Sequence, residues 1–512
     1  MPYLAYDLKG IQSYIFAVPN LRSIVGGSAL IDRFDRETAP ALAGWLFSGG
    51  GRGLFRCDNA AAADELRQRL ITAAHEIGCD IAFGLADEPL AAITGADELY
   101  AFVPEDLDGH PCRESALYPC PEGGVHRVIA QRNSKGVRLR VEEELCDALR
   151  QQGVIDNEQQ CFHNIEDSRV RRALGGRQRW AVIVMDGNDM GSQFRAANDR
   201  LGARSEALVS WLQAASTGLD GASRQACLEA TQAVIEAWRD SEEAAGSKVL
   251  PVRPLVVGGD DIIVLCHAAH AFTFVRTACA AFAKQALAYA RAWGTKHGIS
   301  LWPATGGQLT ISAGVLFCPM KLPLATAIPY AEQLLASAKG LGRKERQQGQ
   351  PAPACLDWEA VTEGTLETPA ARRQRDLRFL DESSSPPTLI ELTCRPYTLE
   401  RFADLERRAE AYRAVPATLR HQVLPALRAA YPERLLWHSR LDKRATRWQR
   451  FVADLAEGDG RQPSGRWQVD RLRIDGQEVP RRRTDVLDAL LLLEERERMA
   501  WITDEEDDAC SA

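Results

Sequence analysis

With 512 residues, 45% hydrophobic and 26% charged, the chain has the makeup of several ordinary globular domains, which excludes a disordered or fibrous protein. A formal net charge of −8 excludes capture of nucleic acid by the whole surface. It leaves local basic patches, Arg372, Arg373, Arg375 and Arg378 or the run Arg481-Arg482-Arg483, for which solvated helix faces are the preferred reading. The opening Met1 to Asp7 has no basic segment followed by an apolar core, and no run reaches the roughly 18 apolar residues of a membrane span. Thirteen cysteines without a CxxC pair give neither a disulfide framework nor a strong zinc pattern, so a cytoplasmic protein with reduced thiols and no membrane partner is expected.

In chain order, Tyr3 to Leu8 reads as a short strand carrying Asp7, with Gly10 behind it. Leu46 to Phe55 reads as a hairpin turning on Ser48-Gly49-Gly50-Gly51, with no acid at its tip. A rival hairpin at Thr94 to Tyr100 carries acids but lacks a following helix and strand, so the Ser48 turn is preferred. A helix over Ala61 to Ile77 and a strand over Asp80 to Phe83 follow. From Pro104 to Gly176 the chain is rich in Pro, Gly and Cys, with one helical patch at Val141 to Gln151.

The second third repeats the plan. Trp180 to Met185 is a continuous apolar strand ended by Asp186 and Gly187, and Asp189 reads as either a helix N-cap or a further ligand. A helical excursion spans Ser205 to Ser241. Two apolar runs, Leu255-Val256-Val257 and Ile262 to Leu265, flank Gly258-Gly259-Asp260-Asp261, a tight turn displaying two carboxylates. A helix from Ala271 to Trp293 and a strand from Leu309 to Leu316 complete a second β-α-β-β-α-β unit.

The expected fold is therefore α+β: a first palm-like, ferredoxin-like domain at 1–103, an intervening Cys-containing region at 104–176, a second palm at 177–358 and a helical C-terminal domain at 359–512. Lys344 to Pro353 and Asp381 to Pro387 read as linkers. Helices are expected at Leu399 to Ala414, at Ala417 to Ala430 and, capped by Thr484, at Asp485 to Trp501, before the acidic tail Asp504 to Asp508.

Attack of a ribose hydroxyl on an α-phosphate builds negative charge that a pair of divalent ions can stabilise, and Mg²⁺ or Mn²⁺ takes carboxylate oxygens for this purpose. Asp186, Asp260 and Asp261 are the expected metal ligands, with Asp260 and Asp261 as the catalytic pair and Gly187, Gly258 and Gly259 leaving the triphosphate room. Read as residues alone, a Gly-Gly-Asp-Asp run is equally a surface turn; the strand-ending Asp186 and the β-α-β-β setting favour chemistry.

Asp186 to Gly191, Gly258 to Asp261, Ser312-Ala313-Gly314 and Ala338 to Arg343 together resemble the second palm of the large subunit of type III CRISPR effector complexes, the Cas-ten family, above all its type III-B members. Lys9 to Phe16, Leu21-Arg22 and Gly26-Gly27-Ser28 resemble that family's first palm. The resemblance implies an ATP-dependent synthase of cyclic oligoadenylate. One ATP would lie on each of two facing palms, with Ser48, Gly49, Gly50, Ser312, Lys339 and Arg343 among the nucleotide-binding residues. Lys339 and Arg343 read equally as cations at a helix terminus. Partners implied are CRISPR RNA, target RNA and other effector subunits.

Departures from the family pattern are specific. Asn188 stands where the family often has an acid, and no His-Asp dipeptide occurs, which implies a member without the N-terminal nuclease domain. Cys112, Cys120, Cys161 and His163 lack the short chelate spacing of a zinc site, so no structural zinc is expected, and Cys266-His267 with His270 reads as a core edge. Two other functions stay open: a catalytically weak nucleotide- or RNA-binding scaffold, which Asn188 favours, and a stand-alone cyclic-dinucleotide synthase.

Overall fold

β1 (Tyr3–Lys9) is the centre of the first unit because alternate residues on both of its faces are apolar and buried. The computed structural model describes residues 2–102, 127–161, 179–428 and 467–500, apart from 19–20, 97–98, 135–138, 203–205, 242–243, 245–246, 363–366, 383–385 and 475–476, together with 110–111, 119–120, 451 and 454. After β1, the helix α1 (Leu21–Arg33) and a π-turn at Phe34–Thr38 lead to β2 (Trp45–Gly49) and β3 (Arg52–Arg56). Then come α2 (Ala60–Ile77), β4 (Asp80–Ala86) and β5 (Leu99–Ala101). Asn59 caps α2 by accepting the Ala62 N–H. The sheet order is β2-β3-β1-β4-β5.

Most of 104–176 lies outside the described residues. Within it, α3 (Arg140–Gln151) matches the expected helical patch, and Glu142 fastens it to the second unit through a buried 2.6 Å ion pair with Arg253.

The second unit runs β6 (Arg179–Gly187), α4 (Met190–Leu201), α5 (Glu206–Trp238), β7 (Val252–Gly258), β8 (Asp261–His267), α6 (Ala271–His297), β9 (Ile311–Pro319), α7 (Leu324–Glu345) and β10 (Cys355–Ala360). Beyond it follow β11 (Arg378–Asp381), β12 (Thr388–Glu391), β13 (Tyr397–Thr398), α8 (Leu399–Tyr412), β14 (Gln468–Ile474), β15 (Gln477–Arg483) and α9 (Val486–Ala500). The larger sheet has the order β13-β10-β9-β6-β8-β7. Four of its strands, β9-β6-β8-β7, repeat β4-β1-β3-β2, and a helix follows the hairpin in each unit. The duplicated palm plan and the α+β class expected from sequence are those of the structure.

β6 shows why this sheet forms. Trp180 to Met185 are all buried; Ala181, Ile183 and Met185 join the core under α5 and α6, while Trp180, Val182 and Val184 join a second core that includes α7 and reaches the first palm. A strand covered on both faces reads as an unbroken apolar run. Each buried Val or Ile contributes about 1.5–3 kcal/mol relative to exposure.

The C-terminal region departs from the expected helices in part. α8 and α9 are present, but a four-stranded sheet, β11-β12-β15-β14, accompanies them. The expected helix at Ala417 is split into Ala417–Arg420 and Val423–Arg428. α9 begins one residue later than expected, and Thr484 Oγ1 accepts only a long 3.4 Å bond from the Val486 N–H. Both basic patches prove to be neutralised internally. Arg373 is bound to Asp357 and Glu359, Arg375 to Glu367 and Asp376, Arg378 to Glu391, and Arg481 to Asp470 and Glu391. Neither is an open cationic face or, for Arg481 to Arg483 on β15, a helix face. Among the described residues no helix is long and apolar enough to cross a membrane. The acidic tail at 504–508 lies outside the described residues.

Candidate active site

Strand register carries the acids together. Met185 pairs with Ile262, so Asp186 and Asp261 lie one step further along neighbouring strands, and Ser312 flanks Asp186 on the other side. Gly259, at φ 59°, supplies the left-handed residue of the turn, and Ser223 of α5 holds that turn by donating 2.7 Å to the Gly259 carbonyl.

Asp260 comes within hydrogen-bond reach of Asp186, and its pKa is raised well above the carboxylate range by burial, then by the charges of Asp186 and Asp261. Asp261 is exposed, yet the protein packed around it pushes its pKa up to about 7; Asp186 adds to the shift, whereas Lys339 and Arg52 oppose it. Lys339, on α7, pairs directly with Asp186. Seven residues earlier, on the same face of the helix, Glu332 raises the Asp261 pKa, and its own Oε1 is buried with no hydrogen-bond partner among the described residues. α7 can come this close because Gly314 of β9 has no side chain: a Cβ there would lie 2.1 Å from the Ala331 carbonyl oxygen.

The three carboxylates fit a divalent cation in kind, and their mutual repulsion, seen in the raised Asp260 and Asp261, is what such an ion would relieve. Among the described residues, however, no three His, Cys, Asp or Glu side chains are already arranged as a metal-holding group. Lys339 already engages Asp186. Binding an ion would draw the acids inward and move Lys339 aside.

A Cβ on Gly187 would sit 2.8 Å from Asp260 Oδ2, so this glycine makes room for Asp260 itself. Gly258 faces open space. Ser312 is wholly buried, bonded to Asn188 and to the Cys355 N–H, and is closed to a nucleotide. Asn188 is buried too and crosslinks β6 to Thr310 and Ser312, away from metal-binding duty. Asp189 stands at the N-cap position of α4 but does not cap it; its carboxylate binds Arg346 and the Ala352 N–H. Arg343 is exposed.

In the first palm the Ser48 turn is the hairpin, as expected. Ser48 donates to the Asp35 carbonyl and accepts from the Trp45 indole, so its hydroxyl is engaged in the fold. Gly49 approaches Ser216 of α5, and Gly50 faces open space. Beneath the turn, buried Asp35 accepts from Tyr6 and from the Gly51 N–H; burial pushes its pKa up to about 7 against those two bonds. Sequence alone did not reveal Asp35, Ser223, Glu332 or Arg52. Of the residues weighed for zinc, Cys112 and His163 lie outside the described residues, and Cys161 is buried against Cys146. His267 is a core edge as expected, its pKa pushed down to about 3 by burial and by His270.

Paired ferredoxin-like units with an acidic hairpin define a palm-type architecture. Residues 179–348, about a third of the chain, match the family described as Cas10/Cmr2, second palm domain, and this segment is a palm of that kind. The chain is similar, at 13% identity and a TM-score of 0.48, to the structure titled Csm1-Csm4 cassette in complex with cA4, covering 97% of this chain and 69% of that one. It is similar at 12% identity and TM-score 0.45, with the same coverage, to a Csm1-Csm4 subcomplex in the type III-A CRISPR-Csm interference complex. Csm1 of T. onnurineus matches at 14% identity and TM-score 0.35, over 67% of this chain and 51% of that one. No curated protein sequence matches.

Proposed function

We propose that this chain is a metal-dependent nucleotidyltransferase that converts ATP to cyclic oligoadenylate as the large subunit of a type III CRISPR effector complex. The observation that carries this reading is the convergence of Asp186, Asp260 and Asp261 at the end of the second palm that faces the first palm's glycine turn, together with the family match of residues 179–348. Asp186, Asp260 and Asp261 would hold Mg²⁺ or Mn²⁺, which supplies charge stabilisation for the attacking and leaving oxygens. Lys339 would transfer its ion pair from Asp186 to phosphate oxygens. Ser223, bonded to the Gly259 carbonyl, would hold the acidic turn in place while the carboxylates close on the ion. Association with RNA and other effector subunits would shift the population of the two palms toward the arrangement that closes this site.

A scaffold that binds nucleotide without turnover is the second reading, favoured by the Lys339–Asp186 pair, which already neutralises one of the acids. Incubation with each labelled NTP and Mg²⁺ or Mn²⁺, with and without RNA, separates the two. Adenylate products absent from Asp260→Asn/Asp261→Asn support the synthase. Turnover of no triphosphate under any condition supports the scaffold, and turnover of GTP alone overturns the adenylate assignment.

A further inference from the structure

Strand register makes Arg52 the first-palm counterpart of Asp261. In each hairpin the second strand starts opposite the last residue of the first: Arg52 against Gly49, Asp261 against Gly258. In each unit the acid of the central strand flanks that position. Asp7 pairs with Arg52, and Asp186 lies one step beyond the Met185–Ile262 pair. The second palm thus sets two carboxylates side by side, whereas the first sets a carboxylate beside a guanidinium. Arg52 Nε lies 3.2 Å from Asp7 Oδ1, and Lys9 Nζ lies 2.6 Å from Asp7 Oδ2, so two cations surround one anion.

Arg52 also belongs to the space between the palms. Its side chain is 67% exposed although its Nε is anchored, and Asp261 of the other palm feels its charge. Both turns lean on α5. A Cβ on Gly49 would lie 3.2 Å from Ser216 Oγ, and Ser223, two helical turns on, holds Gly259. Seven residues of helix place these two supports about 10 Å apart.

From this we infer that the first palm binds the polyphosphate of a nucleoside triphosphate directly through Arg52 and Lys9, without a divalent ion, while only the second palm's nucleotide requires one. A pair of carboxylates must recruit a cation before it can hold a phosphate. A guanidinium fixed on a rigid turn already carries that charge and presents a fork that matches phosphate oxygens. The inference rests on the reading of the second palm as a nucleotide site for its contrast, but the first-palm binding it describes can be measured alone.

Equilibrium dialysis of ATP against the full chain tests it. In EDTA the wild type retains one ATP per chain, and a second binds only when Mg²⁺ is supplied. Arg52→Ala weakens the EDTA-resistant binding at least tenfold, and Arg52→Lys keeps most of it. Arg52→Asp, which restores an acid pair, binds at this site only with Mn²⁺ or Mg²⁺. Asp260→Asn/Asp261→Asn leaves the EDTA-resistant nucleotide in place. A wild type that binds no ATP in EDTA, or an Arg52→Ala protein that binds as the wild type does, overturns the inference. Loss of the Mg²⁺-dependent nucleotide alone speaks against the proposed function and leaves this inference standing.

Discussion

The ammonium of Lys339 is paired with the carboxylate of Asp186, so the acid cluster of the second palm carries a counter-ion drawn from its own chain. That pair joins α7 to β6 across the site. Lys339 also lowers the pKa of Asp261, which desolvation and Asp186 push the other way. The cluster is therefore held in balance by one lysine, and its response to mutation, pH and metal follows from that balance.

Lys339→Met removes the counter-ion. At pH 8 in EDTA, thermal melting should shift down by about 2–4 °C, the effect of roughly 1 kcal/mol on a domain of this size. The deficit should shrink at pH 5, where Asp260 and Asp261 are protonated and repel less, and at saturating Mg²⁺. An equal deficit under all three conditions would mean that the lysine contributes packing alone.

Asp260→Asn/Asp261→Asn removes the repulsion. Both carboxyls have folded pKa values above the unfolded one, so they bind more protons in the native state. Ionisation of Asp261 costs stability as pH rises from about 4 to about 7, and ionisation of the more deeply buried Asp260, held well above the carboxylate range, adds to that cost as pH rises through its own raised pKa. The double variant should melt with the wild type at pH 4 and roughly 1–3 °C above it at pH 8 in EDTA. Mg²⁺ should raise the melting temperature of the wild type and leave the variant unchanged. A variant less stable than the wild type at pH 8 would show that the acids make stabilising contacts in the free protein.

Much of this site was legible in the residues, and the reason is local. An unbroken apolar strand ended by Asp186 and two apolar runs around Gly258 to Asp261 specify backbone without help from the rest of the chain. Arg52, Glu332 and Ser223 were not legible, because each acquires its role by approaching a turn from a distant element, and nothing in its neighbours in sequence distinguishes it. The C-terminal sheet escaped for a different reason: β14 and β15 are rich in charged residues, β15 ending in Arg481-Arg482-Arg483, and it is cross-strand pairing of Arg481 with Asp470 and Glu391 that stabilises them as strands. Ser312 and Gly187 were placed correctly in the sheet, but a motif position does not reveal which side chain fills the space beside it, Asn188 beside Ser312 and Asp260 beside Gly187.

Metal affinity should depend steeply on pH. A carboxylate must be deprotonated to bind Mn²⁺, and Asp261 ionises only around pH 7. Binding followed by electron paramagnetic resonance should strengthen as pH rises from 5.5 through 7, by up to about tenfold per unit for each proton released, and keep strengthening while Asp260, held well above the carboxylate range by burial, still carries its proton. A flat profile would place the ion on carboxylates other than these.

Asn188 offers the sharpest separation of sequence likeness from local structure. Because related sequences often carry an acid there, Asn188→Asp is the obvious change to improve metal binding, yet the structure argues for the reverse. Nδ2 donates to Thr310 Oγ1 at 2.8 Å and to Ser312 Oγ at 3.0 Å, in a position buried between β6 and β9. The Thr310 hydroxyl proton is committed to the Ala352 carbonyl at 2.6 Å, and Ser312 Oγ accepts from the Cys355 N–H. A carboxylate oxygen in place of Nδ2 would face the lone pairs of Thr310 with no proton between them, while carrying a charge out of water. The substitution should destabilise by about 1–3 kcal/mol. Mn²⁺ affinity should not rise, because the hydrogen bonds that hold residue 188 lead toward β9 and not toward Asp260. Denaturant unfolding and Mn²⁺ titration of the same variant check both halves; a stable protein with tighter Mn²⁺ binding would show instead that this side chain can turn to join the acids.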